Sequence, residues 1–548
     1  MKKPSNHASA WPRHLFLIGS SEPMPKAGKA SKDSKASLEA MGSKAWHLLR
    51  MARLGLPVPP ALVLGTHYTR EPAASLLPLF GGGLTAFEAV CGQQLGDARA
   101  PLIVSVRSGA PVSMPGMMET LLNVGLCDAT LPGLLRQSGN PRMVWDAYRR
   151  LIASYAVVVG GLAAQPFEAE RLLACAGADE RMLDYAQLRT LCRRYLELYQ
   201  SLAGQPFPQD PQEQLAAAVQ AVYGSWFSPK ADSYRKLHGI DEGLGTAVIV
   251  QRMVFGNTGH RSGAGVGFTR DPSSGEPALW VDFLANAQGE DVVSGQRNAH
   301  GHATLAQTLP QAWEALQQAA RTLEGELGDM QDFEFTVQDG HLYLLQTRSG
   351  KRTPRAAARI ALDLYEAGLI ERQTARERTA HLKAKDLVLQ QLAPSAGDSA
   401  ADAAAPLELA RASSACSGIA SGEIALDPEH AIERARAGVP VLLLRQDAQT
   451  EDIEALQRVQ GLLTQRGART AHAAVVARQL GKVCLVGCEG LRIDAQRQTV
   501  AFGPHEFAVG QTLTLDGNQG IVYAGALAVV DVPDTPLQRR LQALRSNA

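Results

Sequence analysis

Two acidic residues, Asp332 and Glu334, stand two positions apart in the stretch DMQDFEFTVQDGHLYLLQTRSGKR. Residues two apart on a β-strand project from the same face, so both carboxylates are expected side by side. The apolar residues Phe333, Phe335 and Val337 then fill the other face of the strand. The spacing therefore predicts a half-buried strand that presents a pair of carboxylates.

A hairpin would bring two more polar residues to that face. Residues 338–340, Gln-Asp-Gly, suit a three-residue loop with glycine in the left-handed position. That register sets Asp332 opposite Gln346 and places Arg348 one step further along the same face. A two-residue loop would shift the register by one and separate the carboxylates from Gln346. Carboxylates beside an amide and an arginine predict a Mg²⁺–polyphosphate site, with solvated charges on a hairpin as the alternative.

Lys44 follows a predicted helix start in MGSKAWHLLRMARLGLPVPPALVLG. Ser43 is placed as the N-cap, and Gly55 and Pro57 end the helix before a strand. The helix dipole disfavours a cation in the first turn unless an anion also occupies that end. Lys44 is therefore a candidate phosphate ligand, and a solvated surface lysine is the alternative.

In PLIVSVRSGAPVSMPGMMETLLNVG, a buried-looking strand leads into Arg107 and a loop rich in serine, glycine and proline. Glycines let backbone amides approach phosphate oxygens, and an arginine at a strand end can bind them through two hydrogen bonds. Met114, Met117 and Met118 suggest a mobile apolar lid. A purely structural loop is the alternative.

Gly263, Gly265 and Gly267 alternate in the stretch HRSGAGVGFTRDP. A strand with glycine at every second position has one bare face, which permits close approach of a flat ring or of another backbone. The run is a weak motif by itself.

One histidine, His472, stands at the start of a predicted alanine–valine helix in LLTQRGARTAHAAVVARQLGKVCLVG. Thr470 can cap that helix, which leaves His472 in the first turn, where the dipole favours a neutral imidazole and later a phosphoryl group. A neutral imidazole is a competent nucleophile near pH 7, and Gly467 allows close approach. A surface residue that caps a helix is the alternative.

The composition is that of an ordinary globular protein. Among 548 residues, 54 Lys and Arg balance 54 Asp and Glu, which argues against a nucleic-acid or membrane-surface binder. No apolar run reaches the ~18 residues that span a bilayer, and the N-terminus lacks a signal core. Seven widely spread cysteines without a CxxC pair are typical of reduced thiols and argue against zinc. We therefore expect a soluble cytoplasmic protein.

The pattern of elements predicts a large domain, a linker and a small domain, all of the α/β (α+β) fold class. Alanine, proline, serine and aspartate dominate residues 385–412, and short strand-like runs such as VPVLLLR follow. The predicted segments are 1–38, a strand and flexible basic insertion; 39–355, the large domain; 356–412, a helical segment and linker; 413–530, the small domain; and 531–548, a helical tail.

These stretches resemble the pyruvate phosphate dikinase family. SVRSGAPVSMPGMMETLLNVGL is close to the family signature and differs from the acidic loop of the related phosphoenolpyruvate synthases, and QTRSGKRT and NAQGEDVVSG match equally well. The resemblance runs from about residue 40 to 526. It implies an ATP-grasp-type nucleotide-binding domain over 39–355 and a swivelling phosphohistidine domain over 413–530, with ATP and Mg²⁺ as cofactors.

The resemblance also implies roles for single residues. The family's ATP-binding residues fall on Lys44, Arg107, Asp332, Glu334, Gln346 and Arg348, with Asp332 and Glu334 as metal ligands and Glu290 as a further candidate. The family's phosphorylated histidine falls on His472, so the implied catalytic residues are His472, Thr470 and Arg107. The family reads GGMTSH where this chain reads GARTAH, and Arg469 would either hold a phosphate or obstruct the family's docking surface.

The implied function is an ATP-dependent phosphotransferase, a kinase that phosphorylates its own His472. In the dikinase scheme the β-phosphoryl group ends on the histidine and the γ-phosphoryl group goes to inorganic phosphate. The family continues into a TIM barrel that binds pyruvate or phosphoenolpyruvate, and this chain stops before it. We therefore expect a separate pyruvate- or phosphoenolpyruvate-binding protein or a small-molecule acceptor, and a monomer. The rival interpretation is a catalytically silent ATP-binding sensor or scaffold, and neither interpretation needs a nucleic acid or a membrane.

Overall fold

The computed structural model describes residues 12, 14–19, 32–114, 116–293, 300–393, 406–448, 452–469 and 472–546. The chain divides into two compact units. The first comprises Met1–Gly259 and Tyr343–Gln346, and the second comprises His260–Leu342 and Thr347–Ala548. Both units combine helices with sheets, so the α/β fold class is confirmed. The segment boundaries stay predictions, and most of 1–38 together with 394–405 of the linker lies outside the described residues.

The first unit contains a five-stranded antiparallel sheet with the order β1-β2-β5-β3-β4. Its strands are β1 (Leu15–Ile18), β2 (Ala61–Leu64), β3 (Val104–Gly109), β4 (Thr120–Val124) and β5 (Ala247–Arg252). The apolar runs ALVL in β2 and AVIV in β5 are buried along their length, as expected for strands covered on both faces.

Nine helices accompany this sheet in the described part of the first unit. They are α1 (Lys32–Arg53), α2 (Leu76–Pro78), α3 (Leu84–Cys91), α4 (Leu131–Ser138), α5 (Pro141–Val158), α6 (Gln165–Cys175), α7 (Tyr185–Ala203), α8 (Pro211–Gly224) and α9 (Pro229–His238). Side-chain N-caps start four of them, because Asn140, Asp184, Asp210 and Ser228 each accept a hydrogen bond from a first-turn amide. These local signals explain why α5, α7, α8 and α9 begin where they do.

One helical stretch, Pro72–Cys91, is long and apolar enough by composition to cross a membrane. The expectation that no such run exists is therefore wrong. The stretch is broken by non-helical backbone at Gly81 and Gly82. Leu79 and Phe87 are buried in the core of the first unit, and 33% of the most apolar window of the stretch is buried.

The second unit contains a five-stranded sheet with the order β10-β9-β6-β7-β8, called the small sheet below. Its strands are β6 (Gly263–Phe268), β7 (Trp280–Ala285), β8 (His300–Gly301), β9 (Gln331–Gln338) and β10 (His341–Ser349). The accompanying helices are α10 (Gly289–Val293), α11 (His302–Thr308), α12 (Pro310–Leu327), α13 (Pro354–Glu366) and α14 (Arg372–Thr379).

The small sheet explains the alternating glycines. A Cβ on Gly263, Gly265 or Gly267 would lie within 2.6 Å of a ring atom of Phe283, Phe335 or Phe333, respectively. The bare face of β6 does admit flat rings, as predicted. The rings are the chain's own phenylalanines.

The large sheet of the second unit has eight strands in the order β12-β22-β21-β14-β15-β16-β17-β13. Its strands are β12 (Glu408–Arg411), β13 (Ser413–Cys416), β14 (Ile419–Ala425), β15 (Val441–Arg445), β16 (Gly461–Thr464), β17 (Val483–Val486), β21 (Thr512–Asp516) and β22 (Ile521–Ala524). Strands β14 to β17 are parallel, and the crossovers carry α15 (Pro428–Arg436), α16 (Asp452–Leu456) and α17 (His472–Gln479). A separate antiparallel sheet joins β18 (Leu491–Asp494), β19 (Thr499–Phe502) and β20 (His505–Ala508).

The domain built on the large sheet, residues 408–524, is called the large-sheet domain below. The segments that come before and after it in the chain pair with each other. Strand β11 (Val388–Leu392) runs antiparallel to β23 (Val529–Pro533), with Val388 opposite Pro533 and Leu392 opposite Val529. Helix α18 (Thr535–Arg545) follows, and its Leu541 is buried against residues of α13. The two-stranded ribbon β11–β23 therefore connects the large-sheet domain to the rest of the second unit.

All seven cysteines are buried and none forms a disulfide, as the reduced-thiol expectation requires. Burial raises the pKa of the Cys416 thiol to about 11. Thiols held in this way are packing residues.

Candidate functional site

Lys44 lies where α1 changes direction. Gly42 has φ 74° and ψ 159°, so the helix breaks there and restarts at Ser43. A Cβ on Gly42 would lie 1.7 Å from the carbonyl oxygen of Gly109, the last residue of β3, so only glycine permits this approach. The restarted helix therefore begins against the carboxyl end of β3, with Lys44 in its first turn as predicted.

Ser43 does not have the predicted capping role. Its hydroxyl donates to the carbonyl of Ala110 at 3.0 Å, and its backbone amide donates to the same oxygen at 3.0 Å. The hydroxyl and the amide of Ser43 thus bind the start of the helix segment to Ala110, the residue after β3. The break that starts the segment comes from Gly42, one residue earlier.

Arg107 lies inside β3 and not after its end. It pairs with Ile249 of β5 and Thr120 of β4, and the strand continues to Gly109. The predicted strand end was therefore three residues too early, because the backbone pairing on both sides extends past the apolar run. Arg107 is half-buried and lies near the same end of β3 as Lys44.

The methionines of this loop pack against a buried cluster, and their role as a mobile lid stays a prediction. Met114 is buried together with Ala110, Trp226 and Ala231, and Met117 and Met118 pack against this cluster. Pro115, between them, lies outside the described residues.

The small sheet brings the two predicted metal ligands to one face. Asp332 stands opposite Phe268, which stands opposite Trp280, and Glu334 stands opposite Val266, which stands opposite Asp282. Residues directly opposite in a sheet share a face. These six side chains therefore project from one side, called the carboxylate face below, while the phenylalanines above the glycines occupy the other.

The hairpin loop is shorter than predicted. It consists of Asp339 and Gly340, with φ of 52° and 87°, which is the conformation of a two-residue turn. At the far end, Arg348 Nε still donates to Asp332 Oδ2 at 2.8 Å. The loop length was wrong, and the pairing of Asp332 with Gln346 that depended on it stays a prediction. Arg348 does reach Asp332, as its predicted place on the same face requires.

Of the remaining predicted ligands, Glu334 is half-buried on the carboxylate face, and Gln346 is half-buried on the part of β10 that belongs to the first unit. Glu290 lies in the short helix α10. Lys44 and Arg107 also belong to the first unit.

The carboxylate face has a distinctive electrostatic balance. Burial raises the pKa of Asp332, and the charge and hydrogen bond of Arg348 oppose that rise. The described residues contain no group of three or more His, Cys, Asp or Glu side chains that could hold a metal. A cation held by Asp332 and Glu334 would therefore complete its shell with water and phosphate oxygens, as Mg²⁺ commonly does.

Helix α17 begins at His472, after the carboxyl end of the parallel strand β16. Ligands of parallel sheets are commonly bound at this edge. Gly467, in the loop before the helix, has φ 139°, a backbone conformation that favours glycine. Thr470 and its predicted cap lie outside the described residues.

The loop before α17 reaches the carboxylate face through Arg469. Arg469 Nε and Nη2 donate to Asp282 Oδ1 at 2.8 and 2.6 Å, and Nη2 also donates to the carbonyl of Val281 at 2.9 Å. The guanidinium carbon lies 3.8 Å from the centre of the Trp280 ring. Burial raises the pKa of Asp282, and Arg469 opposes that rise.

A second arginine, Arg478 near the end of α17, is fully buried. Its guanidinium carbon lies 5.2 Å from the ring centre of Phe268 and 5.3 Å from that of Trp280. Its Nε donates to the carbonyl of Ala415 at 2.8 Å, and its Nη2 donates to that of Arg469 at 3.2 Å. Two arginines from one helix and its preceding loop thus surround Trp280.

Sequence reasoning missed Trp280, Asp282 and Arg478. Trp280 and Asp282 alternate in WVDFLANAQGE, directly before a stretch that carried the resemblance, and this was the available signal. For Arg478 the available signal was its place in the helix HAAVVARQ, where it is the one arginine among mostly apolar residues. A charged residue in such a helix is expected to be paired or stacked when it is buried.

The fold and the site define a multidomain α/β protein that holds a histidine-bearing domain against a sheet with paired carboxylates. Family models agree: "Pyruvate phosphate dikinase, AMP/ATP-binding domain" matches residues 83–312 and 303–368, and "PEP-utilising enzyme, mobile domain" matches residues 438–520. The chain belongs to the pyruvate phosphate dikinase family, a family of phosphotransferases.

Three curated relatives show how much of such a protein is present. The chain is 38% identical over 526 residues to pyruvate, phosphate dikinase of Rhizobium meliloti (strain 1021), covering 92% of this chain and 58% of that protein. It is 39% identical to pyruvate, phosphate dikinase of Clostridium symbiosum, covering 88% of this chain and 56% of that protein. It is 40% identical to pyruvate, phosphate dikinase 2 of Zea mays, covering 90% of this chain and 56% of that protein. The chain thus spans little more than half the length of these relatives.

Proposed function

We propose that the chain is an ATP-dependent phosphotransferase that binds Mg²⁺-ATP and phosphorylates its own His472. One observation carries the proposal. Arg469 is bonded to Asp282, which lies on the same face of the small sheet as Asp332 and Glu334. The loop that leads into His472 is therefore held on the face that bears the proposed metal ligands.

The residues suit the proposed ligand. Asp332 and Glu334 offer carboxylate oxygens for Mg²⁺, and Arg348 offsets the charge on Asp332. Lys44 and Arg107 supply cations for phosphate oxygens, and Gln346 supplies an amide. When bound, Mg²⁺ would neutralise charge on the transferred phosphoryl group.

The proposed step balances as follows. A ring nitrogen of His472 attacks the β-phosphorus of ATP, and the bond from that phosphorus to the oxygen bridging to the α-phosphate breaks, which releases AMP. The γ-phosphoryl group passes to inorganic phosphate and leaves as pyrophosphate, so one phosphoryl group stays on the histidine. We propose Thr470 as the residue that caps the helix at His472 and so orients the ring, with Arg107 stabilising the phosphate charge.

The acceptor of the phosphoryl group is proposed to be pyruvate carried by a partner protein, or another small molecule. The similarity to the mobile domain of PEP-utilising enzymes supports this, because that similarity extends over the strands and helix around His472.

The test is acid-labile labelling of the purified chain with Mg²⁺, inorganic phosphate and ATP labelled at either the β or the γ position. Label from the β position alone is expected in the wild type and in His505→Ala, an exposed histidine on β20. His472→Ala is expected to remove it. ATP binding measured by equilibrium dialysis without any label would contradict the proposal and favour a catalytically silent ATP-binding sensor.

A further inference from the structure

We propose that Arg469 is a positioning residue that docks the large-sheet domain on the carboxylate face, by binding Asp282 and stacking on Trp280. The docked arrangement keeps the start of α17 where the nucleotide is bound, so this role rests on the proposed function. The residue stands in the GARTAH segment, where the chain departs from the pattern it otherwise resembles.

The contact of Arg469 with Asp282 is a buried ion pair. The side chain of Arg469 is 19% exposed and that of Asp282 is 1% exposed, and the shortest distance between them is 2.6 Å. Removing one partner of a buried pair leaves the other charge without compensation, which is far more costly than losing a surface pair. The docked arrangement therefore depends on Arg469.

The surroundings of Asp282 strengthen that dependence. Its second oxygen, Oδ2, is buried and has no hydrogen-bond partner. The charge of Arg478 also favours the ionised carboxylate, but no hydrogen bond stabilises this second oxygen. Arg469 provides both of the side-chain hydrogen bonds that Oδ1 accepts.

Arg478 fixes the loop from the other side. It donates to the backbone carbonyls of Arg469 and Ala415 and lies beside the rings of Phe268 and Trp280. The backbone of Arg469 is held by one arginine while its side chain reaches Asp282. Trp280 is shared by both guanidinium groups, so one tryptophan forms the centre of the docking contact.

A charged contact of this kind suits a domain that must also leave the sheet. Both charges regain their hydration when the contact opens, which an apolar patch of the same area would not do. The ion pair therefore gives a defined docked position without fixing it permanently.

Docking is measured by the distance between two spin labels, one on each side of the contact. Glu314→Cys on α12 and Arg492→Cys on β18 are exposed positions, and all seven native cysteines are buried. A narrow distance distribution is expected in this background, and Arg469→Met is expected to broaden it and move it to longer distances. A broad distribution before any change at Arg469 would overturn the proposal.

The matched control is Arg466→Met in the same loop. Arg466 forms a more exposed ion pair with Asp447 of the large-sheet domain, to which its side chain donates a hydrogen bond at 2.8 Å. Its loss is expected to leave the distance distribution unchanged. An Arg469→Met distribution equal to that of the control would also overturn the proposal.

Labelling of His472 gives the second readout. Arg469→Met is expected to slow labelling roughly a hundredfold, the cost of a small misplacement of reacting groups, with no change in the ATP concentration that gives half-maximal rate. Asp282→Asn is expected to slow it less, and the double variant no more than Arg469→Met alone, because both changes act on one contact. Additive effects would overturn the proposal. If no variant labels, including the wild type, while the distances still depend on Arg469, the proposed function fails and the docking role stands.

Discussion

The ring of Phe335 fills the space that a side chain on Gly265 would need. A Cβ at that glycine would lie 2.4 Å from Phe335 Cζ and 2.7 Å from the backbone oxygen of Asp282. The ring can shift, and the backbone of the neighbouring strand cannot. The close packing of β6 is therefore maintained by the absence of a side chain.

Gly265→Ala is expected to destabilise the second unit by about 1–3 kcal/mol, the usual cost of overpacking a core. The measurement is the midpoint of thermal unfolding followed by circular dichroism. Gly325→Ala is the control, because Gly325 is inside α12 and, apart from its chain neighbours and the helix's own backbone, no atom of the described residues would lie within 4 Å of a new Cβ. That change is expected to stabilise by about 0.5–1 kcal/mol. Equal effects of the two changes would contradict the packing argument.

Asp146 provides a pH-dependent prediction in the first unit. Its carboxylate is buried on α5 and accepts hydrogen bonds from Arg149 at 2.7 Å and Arg150 at 2.9 Å. Burial tends to raise the pKa of Asp146, but the two arginines outweigh it and lower the pKa to about 2. The folded state thus binds its proton less tightly than the unfolded state, whose pKa is near 3.8.

The sign of the effect follows from that difference. The pair contributes stability above pH 3.8, and the contribution is lost as the pH falls towards about 2. Asp146→Asn should therefore lower the urea concentration at half-unfolding near neutral pH, by roughly 2 kcal/mol in the free energy of unfolding. The difference from wild type should shrink below pH 3.8. Glu170→Gln, on a more exposed pair with Arg194, is the control and should change little. A difference that stays constant with pH would rule out the ion pair as the cause.

Glu334→Gln tests the proposed metal site. The change keeps the shape of the side chain and removes one of the two carboxylates proposed to hold the metal, so Mg²⁺-dependent labelling should fall by about a hundredfold or more. The rate of acid-labile labelling is measured against Mg²⁺ concentration. Asp339→Asn in the hairpin loop is the control, because asparagine tolerates the left-handed backbone found there. Labelling of Glu334→Gln at the wild-type rate would remove Glu334 from the metal site.

Leu541→Ala tests the packing of the last helix. Leu541 is buried with Leu362 of α13 and Leu382, so its truncation should cost about 2–5 kcal/mol if α18 is part of the folded core. Differential scanning calorimetry measures the effect. Gln542→Ala, at the exposed neighbouring position, should have no measurable effect. If both variants unfold like the wild type, α18 contributes nothing to the stability of the unit.

The sequence pattern of β9 predicted the carboxylate face correctly. The main error was the length of the neighbouring hairpin loop, and it also has a local cause. Asp332 and Glu334 are two positions apart, and residues two apart on a strand always project from the same face. The loop was wrong because Asp339 itself adopts a left-handed backbone, at φ 52°. Asp-Gly is a sequence signal for a two-residue turn, and Gln338, predicted to lie in the loop, is the last residue of β9.

Long-range contacts were beyond such reasoning. The break at Gly42 exists because the carbonyl of Gly109, 67 residues away in sequence, comes close to it. Arg469 was recognised as a departure from the family pattern, but its partner Asp282 lies in another domain of the chain. Neither periodicity nor spacing encodes which distant backbone or carboxylate a residue will meet.

The ribbon of β11 and β23 limits how the large-sheet domain can travel. The strand before the domain and the strand after it are paired along their backbones, from Val388 opposite Pro533 to Leu392 opposite Val529. The two connections to the domain therefore form one double-stranded ribbon. A single connecting chain turns freely about its bonds, whereas the two strands of the ribbon are held to each other by backbone hydrogen bonds. We infer that a domain moving on this ribbon would reach fewer positions than one on a single connecting chain. An acceptor for the phosphoryl group that we propose on His472 would have to lie within that smaller range.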